Sequence, residues 1–95
     1  MRVIVRESAE ADLGSIASWI ARDNPTAAAR VVAAIRDRIN MLETDEFAHM
    51  GRPGVVAGTR ELIEYPYIIV YQVDDALREV IVLSIVHGAQ DRARG

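Results

Sequence analysis

Eleven arginines, two histidines and three tyrosines carry most of the chemistry available to this 95-residue chain, which has no cysteine and no lysine. His87 stands out, at the point where the apolar run of "VLSIVHGAQDR" (Val82 to Arg92) gives way to a polar tail. Histidine titrates closest to neutrality, which makes it the first suspect for proton transfer. Metal-free RNA cleavage would need a base for the 2′-OH, an acid for the leaving oxygen and a cation for the charged phosphorane. Arg52, Arg60, Tyr65, Tyr67, Tyr71 and His87, with Arg92 in the tail, are the groups that could supply these roles. Equally, His87 followed by Gly88 could simply close a buried strand through a capping hydrogen bond.

Other chemistries find less support. His49 and His87 are far apart in sequence, and neither belongs to an HxxxH or HxH array with carboxylates, so no metal site is expected. No strand leads into Gly51, Gly54 and Gly58 and no helix follows them, unlike a phosphate-binding loop. Ser84 lies within an apolar run without the turn that presents a nucleophile. No cofactor is implied.

Bulk properties set the frame. Ninety-five residues make one domain, 1–95, which can bury roughly two-thirds of its unfolded surface. No apolar run approaches the ~18 residues of a membrane span, and the opening residues are too short an apolar run for a signal peptide. With no disulfide framework, the cytoplasm is the expected compartment. A net charge of −3 argues against binding phosphates across the whole surface.

The elements that must position these groups are legible in outline. "RVIVRES" at 2–8 reads as a first strand. Ser8 offers a helix N-cap, with Glu10 and Asp12 near the positive end of the dipole. Leu13, Ile16, Ala17 and Ile20 then form an amphipathic stripe, with Trp19 on its flank. Asn24-Pro25 starts a second helix, whose buried face comprises Ala28, Val31, Val32, Ile35, Ile39 and Leu42. So short a link predicts an antiparallel helical hairpin.

From Asp45 a Gly-rich irregular loop is expected. Three strands follow at 59–65, 67–73 and 79–86, with a break at Pro66 and a turn at Asp74-Asp75. The last strand, apolar almost throughout, should be central and buried on both faces. The order β-α-α-β-β-β predicts an α+β fold, with the N-terminal helical hairpin packed on one face of a small, mainly antiparallel sheet. The other face would be open and would hold the functional groups. On the outer side of the second helix Ala27, Ala34 and Met41 recur every seven residues, with Val31 on the flank. That side is less polar than a solvent-facing helix and would suit a partner.

"GRPGVVAGTRELIEYPYIIVYQV" followed by "VIVLSIVHGAQDR" resembles the ParE/RelE superfamily of bacterial type II toxin–antitoxin toxins. The resemblance extends to the opening strand with "SAEADL" and to the helical hairpin, covering essentially the whole chain. It implies a toxin held in a hetero-oligomer by a cognate ParD/RelB-like antitoxin, with Ala27, Val31, Ala34, Met41 and Trp19 as the antitoxin-binding set.

Two activities are known in this superfamily. RelE-like members cut messenger RNA on the ribosome and typically carry an arginine before an "LVY"-like core, where this chain has Ile68. They also tend to be basic and lysine-rich. ParE-like members poison DNA gyrase, and their C-terminal region contributes to toxicity. The resemblance therefore points towards the ParE branch, a gyrase inhibitor without enzymatic activity, with Gln90, Asp91 and Arg92 as target contacts. The alternative is a ribosome-dependent, metal-independent ribonuclease in which His87 is acid or base and Arg52 and Arg60 hold the phosphate.

Overall fold

The computed structural model describes residues 1–88. Its elements are β1 (Arg2–Val5), α1 (Glu7–Ala21), α2 (Pro25–Met41), α3 (Asp45–Ala48), β2 (Arg52–Pro53), β3 (Arg60–Glu64), β4 (Tyr67–Asp74) and β5 (Glu79–His87). The α+β class and the helical hairpin on one face of the sheet are as the sequence predicts. Two short elements, α3 and β2, interrupt the expected loop after Asp45.

Local chemistry explains the hairpin. Asn24 Oδ1 accepts a hydrogen bond from the Ala27 amide at 3.0 Å, and Pro25 occupies the first helical position. The cap satisfies one of the amide groups orphaned at a helix start. The start of α1 differs from expectation: its N-cap is Arg6, with no side-chain bond. Ser8 already lies in the first turn, and its Oγ donates to the Leu83 carbonyl at 2.7 Å.

The five strands form one sheet in the order β1-β5-β4-β3-β2. β5 runs parallel to β1 and antiparallel to β4. Ala9 and Leu13 of α1 and Ile35 and Ile39 of α2, with Leu42 just beyond, pack onto Leu62, Tyr67, Ile69, Tyr71, Val80, Val82 and Ile85. β5 is interior, as expected, but only its helix-facing residues Val80, Val82 and Ile85 are fully buried. Ile81, Ser84 and Val86 on the other face are half-buried.

One irregularity decides which side chains face the helices. Tyr71 pairs with Val82 but Val70 pairs with Ser84, so Leu83 is an extra residue in β5. A β-bulge of this kind shifts the alternation by one. Ile85 and His87 thereby join Val80 and Val82 on the helix face, while Ser84 and Val86 turn to the other. Two side chains of α1 hold the bulge: Ser8 bonds to the Leu83 carbonyl, and Asp12 Oδ2 accepts from the Ile85 amide at 2.9 Å.

The open face is not bare. Glu61 is only 5% exposed there, and Val55, Val56 and Thr59 of the β2–β3 connection line a small cavity over it with Val70, Ser84 and Val86. Glu61 Oε1 accepts from Arg52 Nε at 3.2 Å and Oε2 from the Val55 amide at 3.3 Å. A buried carboxylate requires such partners.

Tyr71, one of the groups available to the open face, is instead wholly buried among the core residues. Its hydroxyl accepts a hydrogen bond from the Gly51 amide at 2.9 Å. A Cβ at Gly51 would stand 2.9 Å from the Glu61 carbonyl as well as colliding with the tyrosine ring. Burial raises the Tyr71 pKa above its usual value, so the hydroxyl stays neutral. Tyr71→Phe leaves the Gly51 amide unsatisfied in the interior. Urea denaturation should show a loss of ~1–3 kcal/mol; a variant as stable as the parent would show that this bond holds nothing.

Candidate functional site

The groups proposed for RNA cleavage occupy three different places. His87 ends β5 on the helix face, opposite Tyr67. The two rings meet edge to face, 5.5 Å between centroids at 83°. His87 Nδ1 is buried without a hydrogen-bond partner among the described residues. The cap at this strand end is the next residue: the Gly88 amide donates to the Pro66 carbonyl at 2.9 Å. A Cβ on Gly88 would approach Ile68 Cδ1 to 3.2 Å and that carbonyl to 3.3 Å.

Arg60 lies at the other end of the same face. It pairs with Tyr71, whereas His87 pairs with Tyr67, four residues away along β4. At ~3.3 Å per residue this is a separation of roughly 13 Å. The Arg60 guanidinium donates from Nη1 to the carbonyls of His49 at 3.1 Å and Gly51 at 2.9 Å. It thus fastens the α3–β2 connection to the sheet, beside the Tyr71 hydroxyl. Arg52 belongs to the opposite face and is paired with Glu61. The fold therefore brings none of the three together.

Tyr67, like Tyr71, faces the core. Tyr65, by contrast, is 89% exposed at the tip of the β3–β4 hairpin. Gln90, Asp91 and Arg92 lie outside the described residues.

The residues expected to bind an antitoxin divide as well. Ala27, Val31 and Ala34 line a groove of about 340 Å³ between α2 and the β3–β4 hairpin. Its other wall is Glu64, Tyr65, Pro66 and Tyr67, and Arg30 stands at its rim. Below it, Arg38 Nη2 donates to the Ile63 carbonyl at 3.0 Å. Arg38 Nε lies 3.3 Å from Glu64 Oε1, within ionic range though not aligned as a hydrogen bond. Met41 ends α2 outside the groove. Trp19 is on the outer side of α1, 68% exposed, with the Arg22 guanidinium 5.5 Å over its ring.

Sequence reasoning found the α2 wall of this groove from its Ala/Val spacing but missed the facing wall. Nothing local places Glu64, Pro66 and Tyr67 beside α2; that needs the strand order. No group of three or more His, Asp or Glu side chains among the described residues could hold a metal ion. Nor is any helix among them long and apolar enough to cross a membrane.

Comparison with known proteins agrees with this architecture. A family model described as "ParE toxin of type II toxin-antitoxin system, parDE" matches residues 3–92. A protein of Sinorhizobium fredii named "Putative toxin Y4kP" is 41% identical over 80 residues, covering 82% of this chain and 78% of that protein. Among solved structures, a chain of the chromosomal ParDE system of P. aeruginosa superposes with a TM-score of 0.78 at 26% identity. The match covers 92% of this chain and 95% of that one. A chain of the RelBE2 toxin–antitoxin complex of Mycobacterium tuberculosis gives a TM-score of 0.68 at 24% identity, covering 90% and 95%. That second likeness speaks to the fold.

The contacts of Arg60 predict a structural effect for its loss. Arg60→Ala removes two charged-donor bonds and leaves the carbonyls of His49 and Gly51 without them. Chemical denaturation should reveal a cost of ~1.5–3 kcal/mol, and Arg60→Lys should recover only part of it, since a point charge replaces a planar fork. Full stability in Arg60→Ala would free this side chain for a role in binding instead.

Proposed function

Because the chain belongs to the ParE toxin family of type II toxin–antitoxin systems, we propose that it acts by binding and inhibiting DNA gyrase, and that a cognate antitoxin holds it inactive through the α2 groove. The observation that carries the target assignment is the dispersal of His87, Arg52 and Arg60. A ribonuclease must place its acid, base and cation within hydrogen-bond reach of one phosphate. Here Arg52 is on one face, and Arg60 and His87 stand at opposite ends of the other. A net charge of −3 further disfavours a ribosomal RNA target, where affinity rests on cationic contacts. Inhibition by binding needs no such constellation, and in this reading Gln90, Asp91 and Arg92 contact gyrase.

The groove supplies the seat for neutralisation. Its floor is the methyl groups of Ala27, Val31 and Ala34, its far wall Pro66 and Tyr67, and its rim Arg30. Such a site takes apolar anchors spaced along an amphipathic segment, with an acidic residue towards Arg30. The P. aeruginosa neighbour is described as belonging to a ParDE toxin–antitoxin system, which supports a partner of this kind for the present chain.

Purified toxin should abolish supercoiling by gyrase and leave ribosome-bound message intact. Cleavage of that message, lost in His87→Ala, with supercoiling unaffected, would reverse the assignment. Ala34→Arg should weaken antitoxin binding by ~2–4 kcal/mol, as expected when a bulky charge enters an apolar contact, without lowering the melting temperature. Unchanged affinity would place the antitoxin elsewhere.

A further inference from the structure

The outer side of α1 has a composition that nothing among the described residues explains. Ala11, Gly14, Ser15, Ser18, Trp19 and Arg22 line a shallow trough there, all of them exposed. Gly14 lies in the middle of a 15-residue helix, where glycine costs stability relative to alanine. Among the described residues a Cβ at Gly14 would meet nothing within 4 Å, so none of them requires its absence. The bare backbone is of use only to something that approaches from outside. Five residues on, Trp19 stands 68% exposed, a large aromatic surface that folding leaves uncovered. Notch and knob thus occur on the same helix face.

We propose that this face pairs with the same face of a second copy of the chain, α1 against α1 in antiparallel orientation. The charge pattern selects this occupant. Glu7 begins the stripe and Arg22 follows its end, fifteen positions or about 22 Å apart. A two-fold axis between Gly14 and Ser15 sets Glu7 of each copy opposite Arg22 of the other. The same axis sets Ala11 opposite Ser18 and Trp19 opposite Glu10, beside Ala11, of the second copy. An isologous contact must be self-complementary in this way. Small residues at its centre let two helix axes approach to the close end of the ~8–10 Å range. Among the described residues Glu7 has no ion-pair partner, and Arg22 has no ion pair and rests over the Trp19 ring. Both therefore remain available across the pair. The groove on α2 is lined by none of these residues, so the dimer leaves it open.

Sedimentation equilibrium of the purified full chain tests this. A concentration-dependent dimer is expected, and Gly14→Leu should raise its dissociation constant by about tenfold or more, because a side chain now fills the notch. Glu7→Arg and Arg22→Glu should each weaken association, and the double variant Glu7→Arg/Arg22→Glu should restore it. A merely structural effect on α1 would not show that rescue, and melting curves would confirm that each variant is folded. A monomer at every concentration, or a dimer indifferent to Gly14→Leu, overturns the proposal. So does a monomeric chain whose Gly14→Leu variant loses antitoxin affinity, which would give this face to the antitoxin.

Discussion

One extra residue in β5 determines which chemistry each face of the sheet presents. Val80 and Val82 enter the core from one side of the strand, and strict alternation would carry Ser84 and Val86 after them. The bulge at Leu83 cancels that step. Ile85 takes the core position, His87 is drawn to the helix face against Tyr67, and Ser84 turns to the open face. The bulge disrupts the local ladder, and α1 satisfies it: Ser8 donates to the Leu83 carbonyl and Asp12 accepts from the Ile85 amide. These contacts fix where α1 sits along β5. Position of the first helix and orientation of the last histidine are thus one constraint, seen from two ends of the chain.

Most of the cationic side chains that invite a reading as phosphate ligands are committed to holding the connection between α3 and β3. Arg60 clasps the carbonyls of His49 and Gly51, and Tyr71 receives the Gly51 amide beneath them. On the other face Arg52 neutralises the buried Glu61, which also receives the Val55 amide. This connection contains only the two-residue strand β2 and so makes few main-chain pairings of its own. Buried polar groups on the sheet supply the missing ones. The cost of burying them is met because each has a partner, and the result is a loop anchored on both faces of β3.

The sequence shows most of the elements because they are signalled locally. Asn24-Pro25 announces α2, the 3.6-residue stripe around Leu13 and Ile16 gives α1, and the β-rich runs at 59–65, 67–73 and 79–86 need no tertiary help. The bulge has no such signal: Leu83-Ser84 looks like any other step in an apolar strand. It is held by Ser8 and Asp12, more than seventy residues earlier, whose types point to a helix cap and to a charge favourable to the helix dipole. Sequence alone leaves Tyr67 and Tyr71 as candidates for either face for a related reason. A tyrosine hydroxyl can be buried if one donor meets it, and the Gly51 amide that does so for Tyr71 becomes visible only when the connection is folded back. The α2 wall of the groove was legible from Ala27, Val31 and Ala34, whereas its facing wall depends on strand order.

The two sides of the helical hairpin differ in what they can do. On α2, the groove is bounded by the β3–β4 turn, and Tyr65, Pro66 and Tyr67 line it. The same three residues also line a smaller cleft at the end of β5, together with Ile63, Ile68, His87 and Gly88. Pro66 is common to both, and its carbonyl holds the Gly88 amide. A chain seated against Tyr65 and Tyr67 in the groove therefore rests on the residues that secure the end of the last strand. α1 has no such connection to the strand end through its outer side. Whatever covers that side can form or part without disturbing the groove, the turn or the chain leaving β5.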